Sequence, residues 1–272
     1  MQCYRHPDRE AYVRCQRCER YICPACQTEA AVGFLCPEDA GISRARETVD
    51  RITPRPMRNM VAAGAPIATY SIIAICVLVW LGQLAIPSIT VDFSYWPLAT
   101  AYEPWRMITS AFLHDPYSPL HILLNMWSLW VIGRQLEEVL GTRAFLTVYL
   151  VSAFGGSVGM IVAAPSNEYA YGASGAIFGL MGAFFVVLRS FGMQTNNLVF
   201  IVAVNLALGF IGSGVAWQAH VGGLITGLAV AFVFSKTRGA RDGRKRFLGV
   251  LLICLALVAL TLYGIFRVTA GL

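Results

Sequence analysis

Seven apolar segments constrain this chain more than any other feature of it. They fall at approximately 66–87, 119–139, 143–163, 171–188, 197–213, 216–235 and 247–269. Each is close to the ~20 residues that a helix needs to cross a hydrocarbon core. Inside lipid a segment must satisfy its own backbone hydrogen bonds, so isolated runs of this kind become helices. The expected fold class is an all-α polytopic membrane protein. Composition agrees, since 57% of the residues are hydrophobic and 13% are charged, whereas soluble domains carry about 25% charged residues.

What charge there is lies in blocks. Residues 1–65 hold ten of the 21 Lys and Arg, and residues 236–246 hold six more. A net charge of +6 raises nucleic acid as a partner. The long apolar runs between the blocks make membrane topology the better explanation, because Lys and Arg collect on the cytoplasmic side. With the first span running outward, the connections at 140–142, 189–196 and 236–246 are cytoplasmic, and only Arg106 and Arg267 lie outside. This orientation puts the amino terminus in the cytoplasm and the carboxyl terminus outside a cell membrane. Arg44, Arg46, Arg51, Arg55 and Arg58 make residues 41–65 a basic juxtamembrane linker. No cleavable signal sequence is expected at the polar amino terminus.

The first outer connection, residues 88–118, is too long for a turn. It carries Tyr95, Trp96, Tyr102, Trp105 and Arg106, then the apolar piece Met107 to Leu113. Such a composition suits the headgroup level and predicts a partly embedded loop on the outer face. An ordinary aromatic belt would explain the rings but not the length.

Six of the eight cysteines crowd into the first 36 residues. They form the series Cys3-x2-His6, Cys15-x2-Cys18, Cys23-x2-Cys26 and Cys36-x2-Asp39. Four pairs at this spacing suit tetrahedral zinc. A disulfide framework is the alternative, as in small secreted domains; a cytosolic, reducing setting favours the metal. The run resembles the B-box type of zinc module, and that resemblance implies that pairs one and three share one ion and pairs two and four the other. Asp39 stands where a Cys or His is usual. A carboxylate binds zinc, which leaves the second site the less regular of the two. So small a module has little core, so zinc is expected to be structural and to supply much of its folding energy. Nothing in the sequence specifies a partner for the module. Cys76 and Cys254, single in apolar runs, read as small buried hydrophobes.

Polar residues inside the spans carry the chemistry. The second, fourth and sixth spans run in the same direction, and each has its polar residues near its start: His121 and Asn125, then Ser174, then His220. At 1.5 Å per residue these reach similar depth, a few residues below the outer surface. Ionisable groups in a membrane face a wet cavity or one another. A lone histidine could equally serve a proton relay, but matched depth on three helices points to one shared cavity. Serine becomes a nucleophile when a base takes its proton, and histidine is the usual base. His121 and Asn125, at i and i+4, share a helix face and offer two donors to an oxyanion. The backbone N–H of Ser174 at a helix start offers a third. No acidic residue lies at this depth to orient His220, which implies a Ser–His dyad, with Phe178 one turn below Ser174 to pack on the imidazole. Small residues, Gly175 and Gly179 on one span with Gly223 and Gly227 on the other, allow the close approach this needs.

The stretches HILLNMW (121–127), GASGAIFG (172–179) and AHVGGLITG (219–227), in this order, resemble the rhomboid family of intramembrane serine proteases. Trp105–Arg106 in the long loop fits the same resemblance, which covers roughly residues 66–235. It implies a six-helix bundle, to which a seventh transmembrane helix is added as in some relatives. The amino-terminal module resembles one found on actinobacterial members. By this resemblance Ser174 is the nucleophile, His220 the general base, and His121 with Asn125 the oxyanion hole. Phe178, Gly172, Gly223 and Gly227 support the site, and His114 is expected to help line its cavity. Relatives commonly have tyrosine at the position of Phe178; stacking survives that difference and the phenol hydroxyl does not.

The implied domains are a zinc-binding module at 1–40, a basic linker at 41–65, a six-span protease core at 66–235, and a basic loop with the seventh helix at 236–272. The implied substrates are single-span membrane proteins, cut near their outer end, with no cofactor for catalysis. Two other readings compete. An inactive rhomboid-like chaperone would have no need of both Ser174 and His220. A transporter or proton channel would leave the oxyanion residues without purpose, and the chain lacks the inverted repeats and broken-helix pairs of many transporters.

Overall fold

The computed structural model describes residues 1–30, 33–40, 65–211, 215–237, 239 and 242–271. The arginines of the basic linker, and part of the basic loop at 236–246, lie outside the described residues. The chain divides into two compact units: Met1–Ile67 with Thr237–Arg246, and Ala68–Lys236 with Phe247–Leu272.

The first unit is built on thiols rather than on a conventional core. Two short antiparallel hairpins pair β1 (Val13–Arg14) with β2 (Tyr21–Ile22) and β3 (Thr28–Glu29) with β4 (Phe34–Leu35). Strands of two residues contribute little by themselves. Their turns present the paired ligands, and Cys3, Cys15, Cys23, Cys26 and Cys36 are buried with Ala11 and Ile22 between them.

The second unit is helical. Its elements are α1 (Ile67–Ala85), α2 (Ser88–Phe93), α3 (Arg106–Thr109), α4 (Pro119–Ser128), α5 (Arg134–Leu140), α6 (Thr142–Ala163), α7 (Ser174–Ser190), α8 (Asn196–Ile211), α9 (Trp217–Lys236) and α10 (Gly243–Thr269). A π-helical turn, Leu129–Gly133, joins α4 to α5, so helix runs without a break from 119 to 140. The helices lie within a few residues of the seven apolar segments. Among the described residues, α1, α6, α9 and α10 are long and apolar enough to cross a membrane, while α7 and Asn196–Gly209 of α8 are shorter and also apolar. Large apolar side chains face outward, as with Leu78, Phe200 and Leu252, each about two-thirds exposed. Lipid as the solvent is the physical reason such a surface is stable, and this unit makes the molecule a polytopic helical membrane protein.

Helices α6, α7 and α9 form the centre, and glycine sets their spacing. A Cβ at Gly223 would sit 1.9 Å from the Gly175 carbonyl oxygen, and one at Gly227 2.0 Å from that of Gly179. On the other side of α9, a Cβ at Gly222 would sit 2.3 Å from the Gly155 carbonyl. Lipid supplies no hydrophobic drive between helices, so this backbone-to-backbone contact is where dispersion is gained.

Two polar anchors brace the periphery. Glu137, buried in α5, accepts from the N–H groups of Ala68 (2.9 Å) and Thr69 (2.8 Å) and from the hydroxyls of Thr69 and Thr142 (both 2.8 Å). One carboxylate thus satisfies otherwise unpaired donors at the start of α1 and favours the positive end of that helix. In the long loop, Arg106 is 5% exposed. It bonds Glu103 (2.6 Å), the carbonyls of Val91 (2.6 Å) and Ser94 (3.0 Å), and lies over the Trp96 ring. Residues 88–118 are therefore a folded cap of short helices around a guanidinium, while Tyr102 and Trp105 remain exposed.

Candidate active site

The site begins where the chain turns into α7. Gly172 has φ +131°, a conformation open chiefly to glycine, and a Cβ there would lie 3.0 Å from His121 Nε2. Its N–H donates to the Ser110 carbonyl at 2.9 Å, tying the turn to the loop before α4. Ser174 is then the first residue of α7.

Ser174 Oγ and His220 Nε2 are 2.9 Å apart. The imidazole stacks on Phe178, with ring centroids 4.3 Å apart and planes 13° from parallel. His220 Nδ1 is buried without a hydrogen-bond partner among the described residues. No described carboxylate therefore orients the ring from behind; stacking does. With Nε2 accepting from the hydroxyl, the neutral ring carries its proton on Nδ1. The short serine reaches the histidine of another helix because Gly175 and Gly223 let α7 and α9 touch.

His121 stands in the first turn of α4. Its Nδ1 accepts the N–H of Asp115 at 3.2 Å, so its proton is on Nε2, the nitrogen that faces Gly172. Asn125, 7% exposed, donates one Nδ2 hydrogen to the His121 carbonyl at 2.9 Å and keeps the second. Both side chains line the same cavity as Ser174 and His220, a space of about 650 Å³. Tyr95, Tyr169 and Tyr171 also line it, as do Leu124, Ser128, Asn205 and Leu208. Leu124 and Leu208 are 55% and 60% exposed, so the cavity opens sideways between α4 and α8 as well.

His114 departs from expectation. It is fully buried, it does not line the cavity, and it stands behind His121 with ring centroids 5.3 Å apart. Gln83 of α1 holds it there, donating to its carbonyl (2.9 Å) and accepting its N–H (3.0 Å). Two backbone bonds fix the residue in a second layer. Gly223 and Gly227 do not line the cavity; they lie at the contact of α9 with α7, the close approach that the sequence predicts. Sequence reasoning missed Asp115, whose backbone N–H sets the His121 tautomer and which no side-chain pattern could reveal. It also missed Asn205, although a lone amide within an apolar segment is a legible signal.

The first unit holds two clusters that could bind a metal ion: Cys3, His6, Cys23 and Cys26, and Cys15, Cys18, Cys36 and Asp39. His6 Nδ1 lies 3.2–3.9 Å from the three sulfurs of its set. Asp39 Oδ2 lies 3.2 Å from Cys15 and Cys36 Sγ, and Cys18 and Cys36 sulfurs are 3.7 Å apart. These spacings are the edges of a tetrahedron around an ion with bonds of about 2.0–2.3 Å. A disulfide needs about 2.05 Å between sulfurs, and all eight cysteines are free. Burial pushes the Cys18 and Cys26 thiols up to about 12. A divalent cation supplies the charge that lets such groups ionise together.

A family model described as the rhomboid domain matches residues 101–237, half of the chain. The chain is 34% identical over 171 residues to the rhomboid protease GluP of Bacillus subtilis, covering 60% of this chain and 32% of that protein. To the putative rhomboid protease YdcA of the same organism it is 35% identical over 136 residues, 48% of this chain and 67% of the relative. Against the rhomboid protease GlpG of Yersinia pestis the figures are 32% over 174 residues, 60% and 61%. The chain thus spans about a third of the length of the first of these relatives and less than two thirds of the last. The family match starts at residue 101 and leaves the amino-terminal unit outside it. On its matched sequence, carried by a helical membrane bundle, the chain belongs to the rhomboid family.

Proposed function

We propose that this chain is an intramembrane serine endopeptidase that cuts the membrane segments of single-span proteins near their outer end. The observation that carries the reading is the Ser174–His220 pair, bonded at 2.9 Å inside a cavity whose wall also presents His121 and Asn125. An inactive client-binding relative would have no use for that pair.

Ser174 Oγ attacks the substrate carbonyl while His220 Nε2 takes the hydroxyl proton. The negative charge that forms on the carbonyl oxygen is met by His121 Nε2–H, the free Nδ2 hydrogen of Asn125 and the Ser174 backbone N–H. The imidazolium then protonates the departing amine, which breaks the peptide bond and leaves an acyl-Ser174. Water, deprotonated by the same imidazole, hydrolyses that ester. Phe178 holds the ring in the orientation that an aspartate provides elsewhere. The sideways opening between α4 and α8 admits a chain from the lipid.

The two clusters of the first unit are zinc sites in this reading, structural and without part in the chemistry. Its modules are a zinc module (1–40), a linker (41–65), a protease core (66–235), and a loop with a final helix (236–272). The amino terminus and the 236–246 loop face the cytoplasm of a cell membrane, and the carboxyl terminus lies outside. A fluorophosphonate probe tests the core of the reading. It should label the purified wild type at Ser174 and leave Ser174→Ala unlabelled. Equal labelling of both, or none of the wild type, would contradict it.

A further inference from the structure

The wall of the cavity has polar groups that the mechanism does not use. In α8, every residue from Leu198 to Ile211 is apolar or glycine except Asn205, an exposed residue whose amide is costly against lipid unless it is hydrogen-bonded. Asn205 is also a residue of α8 that lines the cavity. Its Nδ2 donates once, to the Ile201 carbonyl at 2.8 Å. That leaves one hydrogen and the amide oxygen uncommitted among the described residues. Ser128 of α4 lines the same cavity.

Helix rise places Ser128 and Asn205 each about one turn from a residue of the site. Ser128 is three residues beyond Asn125 on α4, a descent of ~4.5 Å. On α8, a Cβ at Gly209 would lie 3.6 Å from His220 Nδ1, which sets Gly209 beside the imidazole. Asn205 is four residues earlier, ~6 Å along the helix from Gly209. The two groups flank the sideways opening that Leu124 and Leu208 mark.

We propose that Ser128 and Asn205 form a polar ledge, about one helical turn inside the Ser174–His220 pair, that hydrogen-bonds the unwound backbone of the substrate's membrane segment. The proposal rests on the protease reading and adds how the substrate helix is opened. A helix cut within lipid must release backbone N–H and C=O groups, each costly if left bare in hydrocarbon. Extended chain advances ~3.3 Å per residue, so the first two residues after the cleaved bond reach the ledge. An asparagine amide donates and accepts as a peptide group does, and a serine hydroxyl does both through one atom. The ledge therefore recognises main chain rather than a particular side chain, and it lowers the cost of unwinding for any sequence.

The test uses the full-length protein in liposomes with two single-span substrates that share a cleavage site. One continues into a Leu-rich helix; the other carries Gly-Gly two residues past the bond, so that it unwinds without help. Asn205→Leu should lower kcat/KM on the stiff substrate by about tenfold, the worth of one good hydrogen bond in a membrane. On the Gly-Gly substrate the loss should be under about twofold, and the rate of fluorophosphonate labelling at Ser174 should not change. Ser128→Ala should show the same pattern at smaller size, and Asn205→Gln should restore most of the rate. Equal losses on both substrates, slowed labelling, or no loss at all would overturn the ledge. A wild type that labels with the probe yet cleaves neither substrate contradicts the protease reading instead, and the ledge with it.

Discussion

Ser174 and His220 meet because two residues around them give way: Gly172 turns the chain and Gly223 lets α9 in. Ser174→Ala and His220→Ala should each lower the cleavage rate by more than about 10³, with melting temperatures in detergent near that of the wild type. Neither side chain fills the helix contact, which belongs to glycine. Asn125→Ala should cost at most the ~10²–10³ of one oxyanion donor, since His121 Nε2–H and a backbone N–H remain. Phe178→Ala removes the surface on which His220 stacks, and such a pair is worth ~0.5–1.5 kcal/mol. It should reduce kcat up to about tenfold, whereas Phe178→Tyr, which keeps the ring, should retain activity. Steady-state kinetics on one fluorogenic membrane substrate compares all of these. Ser174, His220, His121 and Asn125 are legible in the sequence because polar groups stand out against apolar spans. His114 misleads for the same reason: a histidine in this region suggests a cavity, but its backbone bonds to Gln83 hold it one layer behind.

Element by element, the close contacts of α9 and the cap on α1 are the features most open to challenge. Gly223→Val would drive a side chain into the Gly175 carbonyl, where even a Cβ has 1.9 Å. The helices must part, so both stability and probe labelling of Ser174 should be lost. Gly243→Ala, where a Cβ meets nothing within 4 Å, should change neither. Glu137→Ala strips four donors of their acceptor, and each buried donor left bare costs ~1–3 kcal/mol. Thermal unfolding in detergent should show a large drop for it and almost none for the exposed neighbour Glu138→Ala. No sequence pattern separates these adjacent glutamates. Hydrophobic length locates a span, but a cap depends on which residues the fold brings together across 69 positions, and periodicity carries no trace of that. Arg106 is similar: its place in the loop is readable, its role as the post around which residues 88–118 fold is not.

The whole molecule joins a unit with two clusters that could hold metal to a helical unit suited to lipid. The seven apolar segments are legible almost to their ends, because lipid leaves a buried segment no other way to satisfy its backbone. The ligand pairing of the two metal clusters follows from a resemblance, and the geometry places those same residues together. Elemental analysis of the intact protein should find up to two zinc ions, and Asp39→Ala should weaken binding only at the cluster of Cys15, Cys18 and Cys36. Chelation should unfold the amino-terminal unit while leaving the helical melting transition in place. Labelling of single introduced cysteines in intact cells should find position 240 shielded from outside. The most direct measurement is mass spectrometry of the products from a single-span substrate, reconstituted with wild type beside Ser174→Ala. Wild type should cut once, near the outer end of the span and next to Ala, Gly or Ser, and Ser174→Ala should leave the substrate whole. Cleavage by Ser174→Ala at a near-normal rate, or cuts in the cytoplasmic half of the span, would contradict the assignment of Ser174 and its depth.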